Sequence, residues 1–157
     1  MRLVIDSSTI IGLAKINKLE LLENYNFVVP EAVYKEVVIP DKIESEIIKK
    51  FLVDRILYPK DRDLVNRLSK RLGLGESETI VLALELDAVA ILDDSLARKI
   101  ARSLGARVKG LLWILLNKKE KGDLPRIKPL LDELIHKNFR ISPRLYKKVL
   151  ELAGETD

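Results

Sequence analysis

Carboxylates recur at the ends of apolar runs in this sequence. Asp6 closes the run LVID, Asp93 and Asp94 close AVAILDD, and Glu36 lies about one helical turn beyond FVVP. Two more, Glu76 and Glu78, stand one residue apart in GLGESETIVLALEL, residues 73–86. Acids gathered in one place cannot all ionise unless protons or cations neutralise them. The soft alternatives are missing, because the chain has no cysteine and its single histidine, His136, has no companion. An all-oxygen set of this kind suits a hard divalent cation such as Mg²⁺, which keeps several waters and takes one or two carboxylates plus substrate phosphate. The chemistry within reach is that of a bound cation meeting a substrate phosphate.

Each acid also has a plain structural use. Asp6, with Ser7 and Ser8, can cap the helical pattern IIGLAKI, and Asp94 can do the same for SLARKI. Glu76 and Glu78 sit where a negative charge complements a helix start. Glu36 can be a solvated position beside Val33 and Val37, and His136 is expected to be structural. Taken as a set, acids after three separate strands favour a working site.

The elements that must position them alternate. Leu3–Asp6, Phe27–Val29, Arg55–Tyr58, Asp87–Leu92 and Ala106–Val108 read as strands. Helical patterns cover IIGLAKI, LELLEN (capped by Asn17), PEAVYKEVV (with Pro30 in its first turn), 41–53, 61–72, 76–86 and 95–104. Three more, near 110–120, 127–137 and 143–153, close the chain. Strand–helix alternation predicts a three-layer α/β/α fold around a central parallel sheet. The expected organisation is one domain over 1–157, an α/β core over 1–110 carrying the acids and a helical extension over 111–157. In such sheets sites form beyond the carboxyl ends of the strands, where Asp6 and Asp93–Asp94 fall.

Composition is that of a globular chain, 157 residues with 47% hydrophobic and 33% charged. The longest apolar run, LLWILL, is too short for a membrane span, and MRLVIDSS lacks a secretion signal's apolar core, so a cytoplasmic protein is expected. Charge is uneven: residues 1–100 hold 15 basic and 17 acidic residues, residues 101–157 hold 13 and 7. A basic final third favours a polyanionic partner. Leucine stripes at Leu111, Leu112, Ile114, Leu115 and at Leu130, Leu131, Leu134, with Trp113 among them, are expected to be core before they are interface.

The segments VIDSS, VVPEAVYKEV, GLGESETIVLALEL and AILDDSLARKIARSLG, in that order, resemble a PIN domain. More narrowly they resemble the small prokaryotic PIN proteins, VapC-type toxins included. The tail GLLWILLNKKEKG…LLDELIHKNFRISPRLYKKVLELAGE is similar to that of a PIN-like subfamily. The resemblance implies a Mg²⁺- or Mn²⁺-dependent ribonuclease leaving 5′-phosphate and 3′-hydroxyl ends. Asp6, Glu36, Glu78 and Asp94 would be its four acids. Asp93 would be an alternate or outer acid and Ser8 a site-lining residue. Where many relatives have aspartate third, this chain has Glu78, with Glu76 two before it, and the resemblance leaves open which of the two holds the metal. Arg98, Arg102, Lys118 and Lys119 would lead the RNA backbone inward. The resemblance further implies a homodimer, held inactive by a small antitoxin if the protein is a toxin. A non-catalytic RNA- or protein-binding module of the same fold is the alternative. A haloacid-dehalogenase-type phosphatase is disfavoured, since it needs a second acid where Ser8 stands. A receiver domain is disfavoured because the acidic pair follows the wrong strand.

Overall fold

The computed structural model describes residues 1–156. Five strands, β1 (Arg2–Ile5), β2 (Asn26–Pro30), β3 (Ile56–Leu57), β4 (Val89–Ile91) and β5 (Arg107–Lys109), form one sheet in the order β3-β2-β1-β4-β5. Every pair is parallel, with Leu3 level with Phe27 on one side and Val89 on the other. Parallel neighbours need crossovers, and helices supply them. These are α1 (Ser7–Lys15), α2 (Glu31–Val37), α3 (Ile43–Leu52), α4 (Arg62–Leu68), α5 (Leu74–Leu86) and α6 (Ser95–Ser103). After β5 come α7 (Leu111–Glu120), α8 (Lys128–His136) and α9 (Pro143–Leu152). The fold is the expected α/β architecture with a parallel sheet flanked by helices.

The two-residue period of the strands sorts the core. Leu3, Ile5, Phe27, Val29, Val89 and Ile91 face one side and pack with α1, α2, α3 and the helices after β5. Val4, Val28, Ala90, Leu92 and Val108 face the other, where Ala97 and Ala101 let α6 approach closely. Helix α5 is apolar around its circumference and buried along most of its length, as a helix between a sheet and a neighbouring helix must be. The stripes Leu111, Ile114, Leu115 and Leu130, Leu131, Leu134 belong to the first core.

Boundaries shift for local reasons. The β4 strand is shorter than DAVAIL because Asp87 adopts the left-handed conformation (φ 51°) that ends α5. Asn17, also at positive φ (56°), turns the chain after α1 rather than capping LELLEN, of which Leu19–Leu22 forms a 3₁₀ turn. Pro30 is the last residue of β2 and the cap position of α2. The helix expected over 61–72 stops at Leu68. Among the described residues no helix is long and apolar enough to cross a membrane.

The topology places the site. From β1 the chain moves outward to β2 and β3, then returns to the other side of β1 as β4. The reversal leaves a crevice beyond the carboxyl ends of β1 and β4. Asp6 follows β1 directly, and Asp93 lies two residues past β4.

Candidate active site

Asp6 is the cap residue of α1, its Oδ1 accepting the Thr9 amide at 3.1 Å. Its Oδ2 accepts the Ser8 hydroxyl (3.1 Å) and the Asp93 amide (3.3 Å). Asp93 is tied to the same loop, with Oδ2 accepting the Ser8 hydroxyl (3.3 Å) and the Thr9 hydroxyl (3.0 Å). One serine hydroxyl therefore lies between two carboxylates from two adjacent strands. The other oxygen of Asp93 accepts the amide of Leu111, first residue of α7. That helix begins after Gly110, which has no side chain to cap it, and Asp93 supplies the acceptor from across the crevice. A Cβ on Gly110 would fall 2.9 Å from both Asp93 Oδ1 and Arg98 Nη1, so only glycine admits this approach.

The electrostatics follow from burial. Asp6 is 4% exposed. Burial, and after it the charge of Asp93, push its carboxyl from 3.8 up to about 7, against the opposing pull of Thr9 and the Asp93 amide. Burial also raises Asp93, opposed by the Leu111 amide, the Thr9 hydroxyl, the charge of Arg98 and the Ser8 hydroxyl. Both groups therefore retain protons at pH values where ordinary carboxylates have lost them.

Three further acids line the same cleft, which encloses about 1080 Å³. Asp94 caps α6, accepting the Ala97 amide at 2.8 Å. Glu36, on the exposed side of α2, accepts the Ser7 hydroxyl at 2.8 Å. Its carboxylate lies against Gly75 of α5, where a Cβ would collide with Glu36 Oε1. Glu76 accepts the Gly73 amide at 3.1 Å, half of a capping box, since Gly73 has no side chain to return the bond. Burial raises its carboxyl; the Gly73 amide opposes this, and the charges of Asp94 and Glu36 add to the rise.

Glu78 is not in the cleft. It is buried at 4% exposure, with Oε1 accepting the Ala32 amide (3.0 Å) and Oε2 paired with Arg62 Nη1 (2.7 Å). Helical residues two apart point in nearly opposite directions, so only one of Glu76 and Glu78 can face the crevice. It is Glu76.

The guiding residues divide as well. Arg98 lines the cleft and donates to the Leu92 carbonyl at 2.9 Å. Arg102 is exposed one turn further along α6, outside the cleft lining. Lys118 is 2% exposed, beside Asp123 (3.4 Å) and over the Tyr25 ring, and Lys119 pairs with Glu155 at 2.7 Å. Both sit near the far end of α7, about 10 Å from the end that meets Asp93. Lys119 ties α7 to the end of the chain and Lys118 packs α7 onto Tyr25 and the following loop; neither lines the cleft of the acids. His136 is exposed at the end of α8, outside the cleft lining.

Thr9, which holds Asp93, was not singled out by the acid pattern, nor were Gly75 and Gly110. Thr9 is the third hydroxyl of SST, a visible signal. The two glycines matter only through residues distant in sequence.

Among the described residues no three acid, histidine or cysteine side chains stand close enough to enclose a cation as they are. The donor chemistry nonetheless fits a hard divalent ion. Asp6, buried, and Asp93, half-buried beside it, are oxygen donors whose affinity for protons is raised, and a cation competes with protons for such a pair.

Set against curated proteins, the sequence finds no significant match. A family model described as PIN domain (DUF3368) matches residues 2–155. With that match over nearly the whole chain and a parallel sheet whose crevice carries the acids, the chain belongs to the PIN-domain family, whose members are typically nucleases.

Proposed function

We propose that the protein is a ribonuclease that hydrolyses RNA phosphodiester bonds with Mg²⁺ or Mn²⁺. The observation that carries this reading is the Asp6–Ser8–Asp93 arrangement, a buried and a half-buried carboxylate on either side of one hydroxyl in an open cleft. Asp6 and Asp93 would hold the ion, with Asp94, Glu36 and Glu76 at the rim. Such an ion, when bound, activates water and offsets charge on the scissile phosphate. The protein's own part is positioning. Thr9 and the Leu111 amide fix Asp93, the Thr9 amide fixes Asp6, and Ser7 orients Glu36. Arg98 brings a positive charge beside the two carboxylates, where an approaching phosphate needs one.

The test is cleavage of an unstructured RNA by the wild-type chain, by Asp6→Asn and by Asp93→Asn, with Mn²⁺ and with chelator. Cleavage that needs the metal and falls at least a hundredfold in both variants is expected. Equal cleavage by all three, or none with Mn²⁺ present, would overturn the reading in favour of a non-catalytic binding module.

A further inference from the structure

The cleft has a part that the acids do not explain. Lys109 at the end of β5, Trp113 on α7, Phe139 and Arg140 in the α8–α9 turn and Lys148 on α9 also line it. The three cations among them are exposed, and none takes part in a salt bridge among the described residues. The aromatic groups are held in place. Asn138 takes the left-handed conformation (φ 71°), and the amides of Asn138 and Phe139 return to the carbonyls of Ile135 (3.0 Å) and Leu134 (2.9 Å). This is a Schellman ending, and it turns the chain sharply after α8. Phe139 then lies on Gly12 of α1, where a Cβ would come within 3.3 Å of its ring. Trp113 is half-buried and leans on Tyr25, ring centroids 6.2 Å apart, with Lys109 Nζ 6.0 Å from its own centroid.

We propose that this wall is the grip for an unpaired RNA strand: bases stack on Trp113 and Phe139 while Lys109, Arg140 and Lys148 take the flanking phosphates. The inference rests on the nuclease reading for the identity of the neighbouring scissile bond. Its physical basis is separate. The acidic rim repels a polyanion, so a strand reaching Asp6 and Asp93 needs unpaired cations nearby to hold it. An aromatic face accepts a base only where that base is free of a duplex stack, and stacking of this kind tolerates any base. The wall therefore selects strandedness, and selects sequence weakly.

Trp113 is the chain's single tryptophan, which makes it a reporter of occupancy. The probe is a ten-nucleotide unstructured oligoribonucleotide, alone or annealed to its complement, titrated into the full-length Asp6→Asn chain in chelator so that nothing is cut. The single strand is expected to quench the tryptophan, the duplex to bind about tenfold more weakly. Arg140→Gln with Lys148→Gln should weaken single-strand binding about tenfold and flatten its log–log salt dependence by roughly 1.4, two phosphates' share. In chains that keep Asp6, Trp113→Leu should raise KM about tenfold with kcat little changed, and an unaltered circular dichroism spectrum would show that the variant folds. Equal quenching by the duplex, or a salt slope indifferent to the double variant, would overturn the grip. The two readings fail separately. RNA that is cut with a KM indifferent to Trp113, Arg140 and Lys148 sinks the grip and leaves the nuclease. Absence of cleavage with single-strand binding and its salt slope intact sinks the nuclease and leaves the grip.

Discussion

Glu78 caps a helix to which it does not belong, its Oε1 accepting the amide of Ala32 in the first turn of α2 at 3.0 Å. The cap position of α2 is Pro30, whose side chain has no acceptor to offer. Arg62 holds the other carboxylate oxygen. Removing the group leaves an unpaired amide in the interior and strips Arg62 of its partner. Glu78→Ala is expected to cost about 2–4 kcal/mol in urea denaturation, and Glu78→Gln about half as much. Mn²⁺ affinity per folded molecule should hardly change in Glu78→Gln and should fall in Glu76→Gln. The reverse order would return Glu78 to the cleft.

Gly75→Ala separates activity from stability. Alanine is the better helix former by about 1 kcal/mol, yet its Cβ lands on the Glu36 carboxylate. Unchanged or raised thermal stability together with a drop in cleavage is the expected pair of results. Cleavage at the wild-type rate would show that the position of Glu36 is immaterial.

The pH dependence of stability has a definite sign. Asp6 ionises near 3.8 in the unfolded chain and near 7 in the fold, so between those values the folded state binds the extra proton. Stability from this group is therefore complete below about pH 4 and is lost as pH rises toward 7, on the order of 2–4 kcal/mol. Asp93 is shifted in the same direction. Thermal denaturation in chelator should show the decline and Asp6→Asn should flatten it. Because a cation replaces the proton, Mn²⁺ affinity should rise with pH up to about 7. A metal-free chain more stable at pH 7 than at pH 5 by way of Asp6 would contradict the assignment.

Near the end of the chain, Glu155 accepts the amides of Ile127 (2.8 Å) and Lys128 (3.0 Å) at the start of α8 and pairs with Lys119. Glu155→Ala is expected to cost about 1–2 kcal/mol. Hydrogen exchange should localise the loss to α8 and the turn after it, leaving the sheet protected.

Most of the fold was legible because its signals are local. The two-residue alternation of LVI and AVAIL gave the strands their faces, and Asp6 and Asp94 proved to be the caps that their positions before helical patterns announced. The crevice was legible because carboxylates directly after β1 and β4 follow from topology alone. What escaped was decided across the fold. The cap positions of α2, α7 and α8 are Pro30, Gly110 and Ile127, none of which offers a capping side chain; carboxylates of Glu78, Asp93 and Glu155 arrive from elsewhere to serve instead. No local rule reveals such a partner. The same blindness affected Lys118 and Lys119, basic in sequence and absorbed into packing in space.

Asp6, Asp93 and Asp94 each satisfy the start of a different helix, α1, α7 and α6. Asparagine or serine meets that structural need nearly as well as aspartate. If the proposed cleavage is what keeps the charges, a descendant released from that selection would be free to exchange its carboxylates one at a time, at little cost in folding. The scaffold asks for a capping acceptor at these three points and not for a charge, so drift to asparagine there would leave the architecture standing and, on the proposed nuclease reading, would record the loss of an activity.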